Sequence, residues 1–226
     1  FKIFFLDYDM IWKTLVFGNI LDFYFLKRLK DKNVFNSIDD VVSNTSHFIK
    51  GQGLKFKDGN RKINTSEFNN YKFIGSLEKK IDKNGNEKDT TTNYNKILRQ
   101  YYITKNLHKW DNRDDGYFPD DKRIFNSPTL LITGGITTEY KCVSALMYED
   151  ALFKSSLTAI KAINNEGIDE LKSICALLNS TFFSYYILLS GSSAGIERKE
   201  SHDEEKWAMP YSSNNEIINL VSQTEK

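Results

Sequence analysis

An α+β fold is predicted for this chain by three observations: a helical apolar repeat near its start, β-type runs around a glycine turn in its middle, and two consecutive helical repeats in its last third. Between residues 10 and 29, Ile11, Leu15, Phe17, Ile20, Leu21, Tyr24, Phe25 and Leu29 recur at helical spacing, which predicts one helix with a broad apolar face. Lys27, Arg28 and Lys30 crowd its last turn, where cations suit the negative end of the helix dipole.

After a turn at Lys32-Asn33, Ser37 has the character of an N-cap and opens a short helix over residues 38–42. In the following stretch Gly51 and Gly53, one residue apart, predict a backbone bend. Residues 55–92 are polar and should be loops and hairpins, with a strand at 71–74 and turns at Asp58-Gly59-Asn60 and Asn84-Gly85-Asn86. Residues 95–102 fit a strand or a short helix, and the Asp- and Lys-rich residues 109–123 read as a loop closed by Phe118-Pro119. Strands follow at 129–133 and 140–148 around Gly134-Gly135, with a third at 156–163. Ile168, Leu171, Ile174, Cys175 and Leu178, then Phe182, Phe183, Tyr186 and Ile187, give two helices split at Asn179-Ser180, the second capped by Ser180 and both packed on the sheet. A Gly/Ser loop over 190–195, a charged stretch to Glu205 and a last helix from Asn215 complete the chain.

Aromatic residues make up 14% of the 226 and prolines number three, a composition for a folded core rather than disorder. A formal charge of +1 excludes a globally basic nucleic-acid binder, so any DNA surface must be local. Cys142 and Cys175 lie among apolar residues at no metal-ligand spacing and are expected as small buried side chains in a reducing cytoplasm. The apolar start is cut by Asp7 and Asp9 without a cleavage site, and the most apolar run, 177–189, is too short to span a bilayer and is interrupted by Asn179, Ser180 and Ser184. A cytoplasmic protein without a membrane partner is expected.

Neither a Gly-rich methyl-donor loop nor an Asn/Asp-Pro-Pro-aromatic turn occurs, and there is no P-loop, His-Glu-x-x-His or paired Cys-x-x-Cys. His47, His108 and His202 stand singly and are expected as surface or capping residues. Asp120, after Pro119, and Glu197-Arg198-Lys199 supply the carboxylate and lysine order of a metal-dependent nuclease, but both fall in predicted loops that would not fix their geometry.

The C-terminal third carries Leu177-Leu178-Asn179-Ser180, Phe182-Phe183-Ser184-Tyr185-Tyr186, a Gly/Ser loop and Trp207-Ala208-Met209-Pro210 before a last helix. In this it resembles the target-recognition, or specificity, domains of restriction-modification N6-adenine DNA methyltransferases of the Type II (including IIG) and Type I kinds. Trp12-Lys13-Thr14-Leu15 with Gly18 and Asp22-Phe23 resembles the linker helix behind their catalytic domain. Lys50-Gly51-Gln52-Gly53-Leu54 resembles the turn that opens the recognition domain, and residues 125–132 its central strand after a proline. The resemblance implies a twisted, mixed or partly barrel-like sheet with flanking helices. It divides the chain into a linker helix (1–32) from an N-terminal catalytic domain outside this sequence, a recognition domain (33–212) and a C-terminal helix (213–226). This chain is then non-catalytic and holds no cofactor, S-adenosylmethionine belonging to the parent's catalytic domain. Its partners are double-stranded DNA and that methyltransferase domain, with a fused nuclease in the parent left open by the resemblance.

Base-edge readout favours Arg and Lys on guanine and Asn and Gln on adenine. Lys50, Gln52, Lys55, Arg61, Lys62, Lys109, Asn112 and Arg113 are the candidate readers, with Ser192, Ser193, Arg198 and Lys199 set to grip phosphate or the groove edge. The DNA face is thus expected in segments 50–62, 105–123 and 191–206, all irregular, whereas Phe182 to Tyr186 belong to the core. A metal-dependent nuclease, and a domain that docks subunits through the first and last helices, are the alternatives.

Overall fold

The computed structural model describes residues 11–55, 68, 70–75, 79–81, 83, 87–89, 94–99, 107–109, 119–192 and 203–212. The single helix expected over residues 10–29 is two, α1 (Ile11–Phe17) and α2 (Ile20–Leu29). The break is local in origin. Asn19 takes an extended conformation and accepts from the N–H groups of Leu21 and Asp22, and the Asp22 carboxylate accepts in return from the Asn19 N–H at 2.8 Å. Such a capping box satisfies donors that would otherwise stay orphaned at a helix start, and the apolar repeat runs through it unmarked. Lys27 and Arg28 end α2 as their charge predicts. Beyond β1 (Asn36–Ser37), α3 (Ile38–Asn44) begins on the predicted cap, with Ser37 Oγ accepting from the Asp40 N–H at 3.0 Å.

The bend expected at the paired glycines is instead β2 (Phe48–Gln52). Gly51 lies inside the strand, and a Cβ on Gly53 would sit 2.2 Å from the Phe153 carbonyl oxygen. Close approach of two backbones, not a turn, is what requires glycine there. β3 (Lys72–Ile74) falls in the predicted strand, and β4 (Lys79–Ile81) and β5 (Glu87–Asp89) pair antiparallel with Ile81 opposite Glu87, flanking the predicted Asn84-Gly85-Asn86 turn. That turn and the one at 58–60 lie outside the described residues. α4 (Tyr94–Arg99) settles the choice left open for this segment in favour of helix. The loop expected over 109–123 is structured at both ends: β6 (Leu107–Lys109) pairs with β3, and a 3-10 turn, Lys122–Phe125, starts on Asp121, whose carboxylate accepts from the Arg123 N–H.

The main sheet uses β7 (Thr129–Thr133), β8 (Ser144–Met147) and β10 (Leu157–Ala162), in the order β2-β10-β7-β8. All five residues of β7 are buried, as an apolar strand between two neighbours should be. It pairs antiparallel with both, Leu130 facing Ile160 on one side and Leu146 on the other. The predicted β7 and β8 pair is therefore present, joined by residues 134–143 rather than by a tight glycine turn. β9 (Ala151–Leu152) runs parallel to β3 in a second sheet, β6-β3-β9. Two residues carry no periodicity, so β9 had no signal in the sequence. Among the described strands the main sheet has edges at β2 and β8 and does not close into a barrel.

Two helices follow as predicted, α5 (Asn165–Leu178), capped by Asn164, and α6 (Thr181–Ser190), capped by Ser180 Oγ on the Phe183 N–H. The charged stretch expected as loop forms the single turn α7 (Asp203–Trp207), after which β11 (Pro210–Tyr211) pairs with β1. The helix expected from Asn215 lies outside the described residues.

The chain divides into two interleaved units. The first, Phe1–Phe48, Gly134–Val143 and Ile163–Lys226, is built on Phe23, Leu26, Ile38, Ile174, Phe183 and Met209, all inaccessible, with α6 packed on α1. The second, Ile49–Thr133 and Ser144–Ala162, contains the main sheet and a cluster in which the Phe125 ring meets Phe68 at 5.9 Å and Phe153 at 5.1 Å. Cys142 is buried and Cys175 half-buried. Among the described residues no single helix is long and apolar enough to cross a membrane; α5 and α6 reach that length only together, across a 65° bend.

Candidate nucleic-acid interface

β2 alternates. Gly51 faces inward, where a Cβ would lie 3.2 Å from Ile124, so Lys50 and Gln52 share the opposite, exposed face. Lys55 is exposed just beyond, and its neighbour Leu54 is fixed between two bonds, from its own N–H to the Phe153 carbonyl and from the Ser155 N–H to its carbonyl, each 2.8 Å. Three of the predicted readers thus stand on one ladder-held segment. A strand holds side chains more tightly than a loop does, so their placement on regular structure departs from the irregular segments expected.

Lys109 ends β6, where it is paired in register with Lys72, and Lys72 makes an ion pair with Glu149. Ser192 lies in the other unit, and both its N–H and its Oγ donate to Glu205, the latter at 2.7 Å. Arg61, Lys62, Asn112, Arg113, Ser193, Arg198 and Lys199 lie outside the described residues.

Further cations near β2 were not legible as candidates. Lys154 bridges to Leu54 in parallel, a neighbourhood created only by folding. Lys161 donates to the Ser127 carbonyl at 2.8 Å; burial lowers its pKa, and the Asp150 charge opposes that shift. Arg123 is committed to Asp121, which its guanidinium meets through both carboxylate oxygens; that hydrogen bonding holds the Asp121 carboxyl below its ordinary range.

Charge separates with the units. The second unit carries 19 Lys and Arg against 13 Asp and Glu, a formal +6, leaving 12 against 17, a formal −5, for the first. The +1 of the whole chain conceals this. Eight of the twelve predicted contact residues, Lys50 to Arg113, belong to the basic unit.

Asp120, one half of the nuclease alternative, is exposed on a bend ahead of the 3-10 turn, while Glu197-Arg198-Lys199 lies outside the described residues. Among the described residues no three His, Cys, Asp or Glu side chains are grouped to hold a metal ion. His47 is half-buried, with Nε2 3.6 Å from Glu166, and His108 sits in β6 opposite Phe73. Phe183 and Tyr186 are core residues, and Phe182 and Tyr185 are half-buried against Phe25. No protein-family model and no curated protein matches this chain.

Proposed function

We propose that this chain reads duplex DNA for a restriction-modification N6-adenine methyltransferase, directing a catalytic domain that lies outside this sequence. The observation that supports the reading most is the +6 second unit, in which Lys50, Gln52 and Lys55 project from one paired segment. Cations near the duplex release its condensed counterions, which gives affinity without sequence information. Gln52 adds an amide able to form a bidentate pair with adenine in the major groove, which gives sequence information. The catalytic domain would flip the target adenine and bind S-adenosylmethionine, while the basic unit holds the neighbouring base pairs in register.

The −5 of the first unit opposes the phosphate backbone, so the isolated chain should bind weakly, in the micromolar range or above at physiological salt. Fluorescence anisotropy on a random-sequence duplex tests the first half of the proposal: affinity should fall steeply as salt rises. Joining the chain to its catalytic domain and mapping methylated adenines tests the second half. Exchange of the segments 50–62 and 105–123 for those of a relative should change the methylated motif, and an unchanged motif would remove the reading role.

A further inference from the structure

We propose that the turn at Gly191-Ser192 is a site for a phosphate-type oxyanion that the chain's own Glu205 occupies, so that this carboxylate competes with the phosphate group of a ligand. The inference rests on the DNA reading above, in which Ser192 grips phosphate, and adds to it a group that must yield first. Ser192 is exposed and Glu205 half-buried. One carboxylate oxygen of Glu205 accepts from both the N–H and the Oγ of Ser192, the second at 2.7 Å. Its other oxygen lies against Gly191, where a Cβ would come within 3.3 Å of it. From the interior the Lys13 ammonium, 2% exposed, donates to the Gly191 carbonyl and attracts the Glu205 charge.

A backbone N–H, a hydroxyl and a nearby cation around one anion, on a turn whose glycine lets oxygens come close, is a donor set suited to phosphate. A carboxylate and a phosphodiester each bring a single negative charge on oxygens that only accept, so one can replace the other with every donor of the turn still satisfied. The exchange lies within one unit of the chain, since Lys13, Gly191, Ser192 and Glu205 all belong to the first. While Glu205 is seated a ligand phosphate is excluded, and a turn that is open one-tenth of the time costs the ligand roughly tenfold in apparent affinity. The weak duplex binding expected of the isolated chain thus has a local component besides the −5 of its first unit.

Glu205→Gln keeps an acceptor for Ser192 and removes the charge, while Glu204→Gln, at the exposed neighbour on α7, removes the same charge from outside the turn. In the 226-residue chain, the Ser192 amide resonance of Glu205→Gln should shift saturably with inorganic phosphate, at a concentration about tenfold below that needed for the wild type or Glu204→Gln. On a random-sequence duplex, Glu205→Gln should bind more tightly than Glu204→Gln, and adding Ser192→Ala should abolish the difference. A Ser192 resonance that ignores phosphate in Glu205→Gln, or that responds alike in all three proteins, overturns the proposal. A phosphate response without the duplex gain keeps Glu205 as the occupant and assigns the site to free phosphate instead of a DNA backbone. Failure of the DNA reading shows separately, as wild-type duplex binding that is absent or insensitive to salt, and the amide titration decides the site in either case.

Discussion

Lys13 and Glu205 converge on one turn. The buried ammonium of Lys13 donates to the carbonyl of Gly191, where α6 ends, and Glu205 accepts from the N–H and Oγ of Ser192, the next residue. α1, α6 and α7 are thereby joined at a point where α6 leaves carbonyls without helical partners. Burial lowers the pKa of Lys13 and the Glu205 charge works against that, so the cation is retained by its partners rather than by solvent.

Lys13→Met keeps the apolar stem and removes the donor, leaving a carbonyl and a carboxylate that had faced an ammonium. A loss of about 1–3 kcal/mol in urea unfolding is expected, the cost of a buried acceptor left unanswered. Glu205→Gln, which keeps an oxygen for Ser192, should lose less. An unfolding curve for Lys13→Met that overlays the wild type would mean that the turn holds without the cation.

Glu170 is the opposite case, a group whose charge the fold does not support. Its Oε2 is buried with no hydrogen-bond partner among the described residues; burial raises its pKa, His47 lowers it, and Glu166 raises it again. A carboxyl whose folded pKa is raised is favoured protonated, so stability is present below its ordinary value of 4.5 and is lost as pH rises through the folded pKa. Glu170→Gln should therefore raise the melting temperature at pH 7, with the gain shrinking as pH falls toward 4.5. A gain that persists below that pH would point to packing instead of charge.

Tyr185 and Asp22 give an alkaline counterpart. Burial raises the phenol pKa well above the ordinary 10.0, and the hydrogen bond to Asp22 and its charge add to the shift. The folded state keeps this proton where the unfolded chain has lost it, so the contribution is full below pH 10 and declines as pH climbs toward the folded pKa. Tyr185→Phe should cost about 1 kcal/mol at pH 7, the worth of an ordinary hydrogen bond. Its thermal melts above pH 10 should then fall less steeply with pH than those of the wild type.

Gly53 tests why the paired glycines are there. Gly53→Ala places a methyl 2.2 Å from the Phe153 carbonyl oxygen and 2.6 Å from that of Lys154, backbone atoms that cannot swing aside. Gly51→Ala meets only the Ile124 side chain at 3.2 Å. The first should lose about 1–3 kcal/mol, as overpacking does, and the second distinctly less. Equal melting temperatures for the two variants would return the pair to the role of a simple bend.

What could be read in advance follows the range of the forces involved. The caps at Ser37 and Ser180 were legible because each acts on an N–H three residues along, inside the window of any local pattern. Asn19 works in the same way, yet it sits inside an unbroken apolar repeat, and the repeat hid it. The strand character of Lys50 and Gln52 depends on β10, more than a hundred residues away, so composition alone placed them in a loop. The charge separation was the least visible feature. The basic unit is assembled from two stretches of chain with acidic segments around them, and a sum along the sequence cancels what folding sorts apart.

Separating Lys50 and Lys55 from Gln52 would divide affinity from specificity. If the proposed reading holds, Lys50→Ala and Lys55→Ala should each weaken binding to every duplex alike, and each should flatten the plot of log K against log salt by about one unit, the counterions of one phosphate. Gln52→Ala should leave that slope alone and cost about 1–3 kcal/mol only on duplexes carrying the preferred base pair, since an amide reads a base edge without displacing cations. Anisotropy titrations of the three variants at two salt concentrations on matched and scrambled duplexes resolve the two effects. Should Gln52→Ala lower affinity for both duplexes equally, β2 would be a backbone contact and the sequence reader would have to be sought elsewhere in the basic unit.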